Sequence, residues 1–158
     1  MRFAQSELRE ITESVWTSLL GIELQPGPEE VDPSGMQRPI ASCVQITGGW
    51  QAAVVLYCPT GLALRAAAIM FGVDEQTVAA DDIQDVMCEL VNIIGGNIKG
   101  MLSGSCNICL PTLVQGLDYK LIFPRHLLLS RVSFDCEGQP LLVMLLGEDK
   151  SPSRQGDR

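Results

Sequence analysis

The chain has 158 residues, 46% of them hydrophobic and 19% charged, the size and composition of one globular domain with a sizeable core. Its net charge is −8 and its pI about 4.5, with no run of Lys or Arg, so a nucleic-acid partner is not expected, because neutralising phosphates takes a basic stripe. No apolar run approaches the roughly 20 residues of a membrane helix, and polar and acidic residues near the N-terminus leave no secretory h-region, so the expectation is a soluble, cytoplasmic protein without a membrane segment.

Leu8, Ile11, Val15, Trp16, Leu19 and Leu20 recur at helical spacing over about residues 6–20, with Ser6 the expected cap and Gly21 the stop. Residues 25–37, rich in Pro, Gly and acid, read as a surface loop. Two strands, near 39–47 and 50–58, flank Gly48-Gly49, a hairpin signal. Thr60 is the expected cap of a second helix over about 61–71, whose Leu62, Leu64, Ala66, Ala67, Ala68, Ile69 and Met70 imply burial against a sheet.

The stretch 81–102 is a third, amphipathic helix. Ile83, Val86, Met87, Leu90, Ile94, Ile98 and Met101 form its apolar stripe, and Asp82, Asp85, Glu89, Asn92, Gly96 and Lys99 the opposite face. Asn and Gly weaken a helix, so something other than helix stability selected that face. Glu89 and Asn92 project from one turn, and Gly96 flattens the next.

After a connector over 103–111 with short strand potential, strands are expected near 113–123, 127–136 and 139–147, the last two joined as a hairpin by Glu137-Gly138. Leu141-Leu-Val-Met-Leu-Leu146 has no polar alternation and should be covered on both faces, by helices on one and by a second subunit on the other. The order predicts one α+β two-layer domain over residues 1–147, with a largely antiparallel sheet and about three helices, followed by a disordered polar tail over 148–158. The first and third helices hold comparable places before their strands, which suggests two pseudo-repeats. Setting Glu13 on Glu89 sets Trp16 on Asn92, so only the second half keeps the polar pair.

Six cysteines (Cys43, Cys58, Cys88, Cys106, Cys109, Cys136) fall mostly in apolar stretches and read as buried, reduced thiols. Cys106 and Cys109 form a C-x-x-C pair, but no second pair completes a zinc site, and His126 is the single histidine. No Ser/His/Asp set, phosphate-cradling glycine loop or metal cluster is present. Spacing alone supports an interaction domain with one unexplained polar face. A carboxamide one turn from a carboxylate nevertheless suits phosphoryl transfer, which needs a water held in line more than covalent help.

Asp85-x-x-x-Glu89-x-x-Asn92, followed by Ile93-Ile94-Gly95-Gly96, resembles the active-site helix of the CheC/CheX/FliY chemotaxis phosphatases. The layout resembles that family as well over about residues 5–147: a helix ending Leu-Leu-Gly-Ile-Glu, a hairpin, an Ala-rich helix ending Met-Phe-Gly, then the motif helix. Its single motif copy is most similar to the CheX branch, and Pro111 stands for the family's downstream proline at a shorter separation from Asn92. The resemblance implies a CheC-like fold and hydrolysis of the aspartyl phosphate of a phosphorylated CheY-like receiver. Asn92 would orient the attacking water and Glu89 would pair with the receiver's lysine. Asp85 matches the pattern without an assigned role, and Gly96 would admit the partner. Magnesium would sit on the receiver, so no cofactor or metal ligand of the chain's own is expected, and a homodimer is implied. The alternatives are a non-catalytic receiver-docking module and a flagellar-switch adaptor.

Overall fold

A computed structural model describes residues 5–102, 104–116 and 121–148. In chain order its elements are α1 (Gln5–Leu20), β1 (Gln25–Pro26), β2 (Pro39–Gly48), β3 (Ala52–Pro59), α2 (Thr60–Phe71), α3 (Ala80–Gly100), β4 (Cys106–Ile108), β5 (Thr112–Val114), β6 (Leu127–Cys136) and β7 (Gln139–Gly147), with short 3-10 turns at Pro33–Gly35 and Glu75–Thr77. Every strand pairing is antiparallel, as the α+β reading requires. The sheet runs β1-β6-β7-β3-β2, and β4 and β5 follow one another along the outer edge of β2.

Two hairpins, β2–β3 and β6–β7, meet at the centre, where β3 pairs with β7 from Ala52↔Gly147 to Tyr57↔Leu142. α1 packs on β6 and α3 on β2, so each helix covers the hairpin that follows the other. That exchange is the structural form of the two pseudo-repeats.

Alternation along the strands sorts the core. Ile40, Val44 and Ile46 of β2, Val54 and Leu56 of β3, and Leu141, Val143 and Leu145 of β7 join the helix-side cluster around Trp16, Trp50 and Phe134. Ala41, Cys43, Val55 and Leu142 point the other way. β7 is covered on both faces, as its unbroken apolar run demands. The chain itself contributes to the second cover: Val31 and Met36 pack on Leu142, and Val114, Leu121 and Phe123 extend the same layer.

Turn chemistry follows the sequence closely. Gly72 closes α2 in the left-handed region at φ 65°, and Glu137 (φ 53°) with Gly138 (φ 86°) makes the two-residue turn that matches strand twist. Three expectations need correction. Ser6 lies inside α1 rather than capping it. Thr60 is the first residue of α2, not its cap; Pro59 takes the cap position, and the Thr60 hydroxyl donates to the Arg38 carbonyl. Among the described residues, the strand expected over 113–123 pairs only at Thr112–Val114, in register with Cys43–Ala41. Residues 117–120 of that range, and the polar tail beyond Glu148, fall outside the described residues.

Candidate functional site on α3

The third helix is fixed at both ends and along its underside. The Asp82 carboxylate accepts the Ala79 N–H at 3.0 Å, and Asp81 and Asp82 in the first turn with Lys99 in the last complement the helix dipole. Val86, Met87, Leu90, Ile94 and Ile98 are buried, as the periodicity requires. Gly95 is buried with them. A Cβ there would stand 2.6 Å from Val44 Cγ1 and 3.1 Å from Ile108 Cδ1, so α3 lies on β2 and β4 as closely as its backbone permits. In sequence Gly95 registers only as a cost to the helix; its packing role depends on residues far away in the chain.

On the opposite face Asp85, Glu89 and Gly96 are exposed, and Asn92 is half-buried. A Cβ on Gly96 would meet nothing within 4 Å, so that turn is bare backbone open to a partner. Among the described residues neither Glu89 nor Asn92 makes a hydrogen bond or ion pair with the rest of the chain, which leaves their donors and acceptors facing outward. No basic residue occurs between Arg65 and Lys99, so the face is acidic until its last turn. Arg65 is engaged elsewhere, 2.8 Å from Glu137.

The thiols offer no nucleophile here. Cys88, one turn before Asn92, has its pKa raised by burial and then by the Asp85 carboxylate, which disfavours the reactive thiolate. Cys106 is buried, Cys109 half-buried, and both are free. Among the described residues no group of three His, Cys, Asp or Glu is placed to hold a metal ion. His126 stands in the turn before β6, its Nδ1 3.0 Å from the Pro124 carbonyl oxygen. What α3 presents is a carboxylate and a carboxamide one turn apart, on a rigid element, beside open backbone. Such a pair can hold a cation and a water.

The family model of the chemotaxis phosphatase CheX matches residues 40–135, from β2 through the whole of α3 into β6. The chain belongs to the CheX family. No curated protein matches it in sequence. Among solved structures, the chemotaxis protein CheX from Vibrio vulnificus superposes with a TM-score of 0.72 at 15% identity, over 90% of this chain and 95% of that one. The CheX–CheY–BeF3–Mg2+ complex from Borrelia burgdorferi gives 0.71 at 19% identity, over 94% and 100%. FliY from Thermotoga maritima gives 0.55 at 13%, over 92% and 89%. At such identities these likenesses establish the fold, and the family match carries phosphatase activity at the level of the family. No helix among the described residues is long and apolar enough to cross a membrane.

Proposed function

We propose that this chain hydrolyses the aspartyl phosphate of a CheY-like receiver. The observation that carries the reading is the outward-facing Glu89–Asn92 pair on the buried, tightly seated helix of a chemotaxis phosphatase family member. The Asn92 carboxamide accepts from and donates to the attacking water, holding it in line with phosphorus. The water oxygen bonds to phosphorus as the bond from phosphorus to the aspartyl oxygen breaks; aspartate and inorganic phosphate leave, and the water's proton passes to solvent. Glu89 pairs with the receiver's lysine and sets the register. Asp85 and Gly96 belong to the contact surface, the glycine by letting the partner come close. Magnesium in this scheme is the receiver's, where it neutralises charge on the phosphoryl oxygens. Support comes from the Borrelia CheX, whose structure was determined with CheY, BeF3 and Mg2+. A cytoplasmic homodimer belongs to the same reading. Phosphate release from acetyl-phosphate-charged receivers in magnesium is the test. Acceleration on one of them is expected; none on a receiver that still binds would leave a docking or adaptor module.

A further inference from the structure

The outer face of α3 changes sign along its length. Asp81, Asp85 and Glu89 make the first half acidic, and Lys99, the one basic residue of the helix, ends it. Asn92 lies between them. Seven residues separate Asn92 from Lys99, almost two full turns, so the two side chains leave the helix within about 20° of one line and roughly 10 Å apart along the axis. The residues nearest that line between them are Gly95 and Gly96, which put no side chain in the way. A helical side chain leans back over the turn before it, and for Lys99 that turn is the same glycine pair. Gly100 follows, and a Cβ on Gly96 or Gly100 would meet nothing within 4 Å. Lys99 itself is exposed, and among the described residues its ammonium has no hydrogen-bond or ion-pair partner. A lysine in the last turn also complements the helix dipole, but that role asks neither for a bare turn before it nor for alignment with Asn92.

In a chain of net charge −8, an exposed, unpaired ammonium on an otherwise acidic face is where a negative group of a partner is accepted. An interface of about 800 Å² per partner, centred on Glu89 and Asn92, extends about 16 Å in each direction if round, and so takes in Lys99. Distance decides what the ammonium meets. The group that Asn92 holds lies roughly 10 Å back along the helix, beyond the span of a lysine's four-carbon stem, so Lys99 meets a neighbour of the phosphoryl group and not the phosphoryl group itself. We propose that Lys99 is the second electrostatic contact of the docked receiver: with the receiver's lysine on Glu89, Lys99 pairs with a receiver carboxylate on the far side of the phosphorylation site. Docking in the reverse direction sets like charges together at both ends, so the two pairs fix how the receiver lies along α3. The proposal rests on the phosphatase reading and adds which receivers qualify. One that presents a basic group at that place is a poor substrate.

The test is the affinity of Lys99→Arg, Lys99→Gln and Lys99→Glu for the beryllofluoride-charged receiver at several salt concentrations, with dephosphorylation kinetics and thermal melts in parallel. Lys99→Gln should raise Kd and KM about three- to tenfold at low salt, Lys99→Glu should raise them further, and Lys99→Arg should stay within about twofold of wild type. Throughout the series kcat should hold within about twofold, and Kd should rise less steeply with salt in Lys99→Gln than in wild type. Reversing the receiver's exposed carboxylates to Lys one at a time should find one variant that restores binding to Lys99→Glu. Kd and KM of Lys99→Glu within about twofold of wild type would overturn the proposal, as would a loss confined to kcat. A lowered melting temperature with unchanged affinity would also overturn it, by leaving Lys99 the dipole role alone, and so would the absence of any restoring receiver variant. If wild type binds a charged receiver without accelerating hydrolysis, the phosphatase reading fails and the Kd series still decides on Lys99; if no receiver binds, both readings fall.

Discussion

α1 and α3 hold corresponding places in the two halves of the fold, yet they treat the residue three beyond a shared Glu in opposite ways. In α1 the Glu13 carboxylate is followed by Trp16, fully buried among the largest side chains of the core; in α3 the Glu89 carboxylate is followed by Asn92, half-buried at the surface. The neighbouring positions differ to match. Where α3 has Gly95 and Gly96, α1 has Leu19 and Leu20, one partly exposed and one buried. One half therefore uses its helix to fill the core with an indole. The other draws its helix down onto β2 and β4 through a missing side chain and keeps its outer face free.

The comparison is tested hardest by writing the α3 pair onto α1. Trp16→Asn should destabilise the fold by at least about 3–5 kcal/mol, the range for truncating a buried Trp to Ala, because the cavity is joined by a buried amide. Denaturant melts measure that loss, and no phosphatase activity beyond wild type should appear. A variant of wild-type stability would mean that Trp16 is not the filler it is taken to be.

The two glycines of α3 separate packing from access. Gly95→Ala pushes a methyl group into Val44 and Ile108 and should cost about 1–3 kcal/mol. Gly96→Ala meets open space and should stabilise by up to about 1 kcal/mol, the difference in helix propensity. Reversal of that order in thermal melts would show that α3 does not lie on β2 as described.

A third test contrasts the core thiols with those near the surface. Burial pushes the Cys136 thiol up to about 11 and Cys58 further, from an ordinary value of 9.0. Both groups hold a proton in the folded chain that the unfolded chain releases. The stability they contribute is complete below about pH 9 and is lost as pH climbs from there towards 11. An aromatic-disulfide reagent should accordingly label Cys88 and Cys109 in the native protein, and Cys58 and Cys136 only after unfolding. The smallest effect expected is that of Asp82→Ala, which frees the Ala79 N–H at the start of α3 and should cost about 0.5–1 kcal/mol in a melt.

Periodicity makes α3 legible in the sequence: its apolar stripe and its outer row of Asp85, Glu89, Asn92 and Gly96 fall where the spacing sets them. Strands β2, β3, β6 and β7 were readable for the same reason, and the turn at Glu137-Gly138 by its chemistry. What the sequence hid depends on distant partners. The two-residue β1 exists only because Gln25 and Pro26 meet Asp135 and Phe134 of β6. Thr60 has the chemistry of a cap, but its hydroxyl donates to the Arg38 carbonyl, well upstream in the chain. β5 exists only where Thr112 to Val114 meet Cys43 to Ala41 of β2, and the packing role of Gly95 is set by Val44 and Ile108. For the site itself, spacing placed Glu89 and Asn92 on one turn, and family resemblance supplied the reaction.

The measurement that bears most directly on the central claim is single-turnover hydrolysis of a phosphorylated receiver by wild type and Asn92→Ala, with receiver affinity determined for both. Loss of the water-holding carboxamide should slow hydrolysis by about 10²–10³ while affinity stays within about twofold. An Asn92→Ala protein that hydrolyses the receiver as fast as wild type would contradict the account.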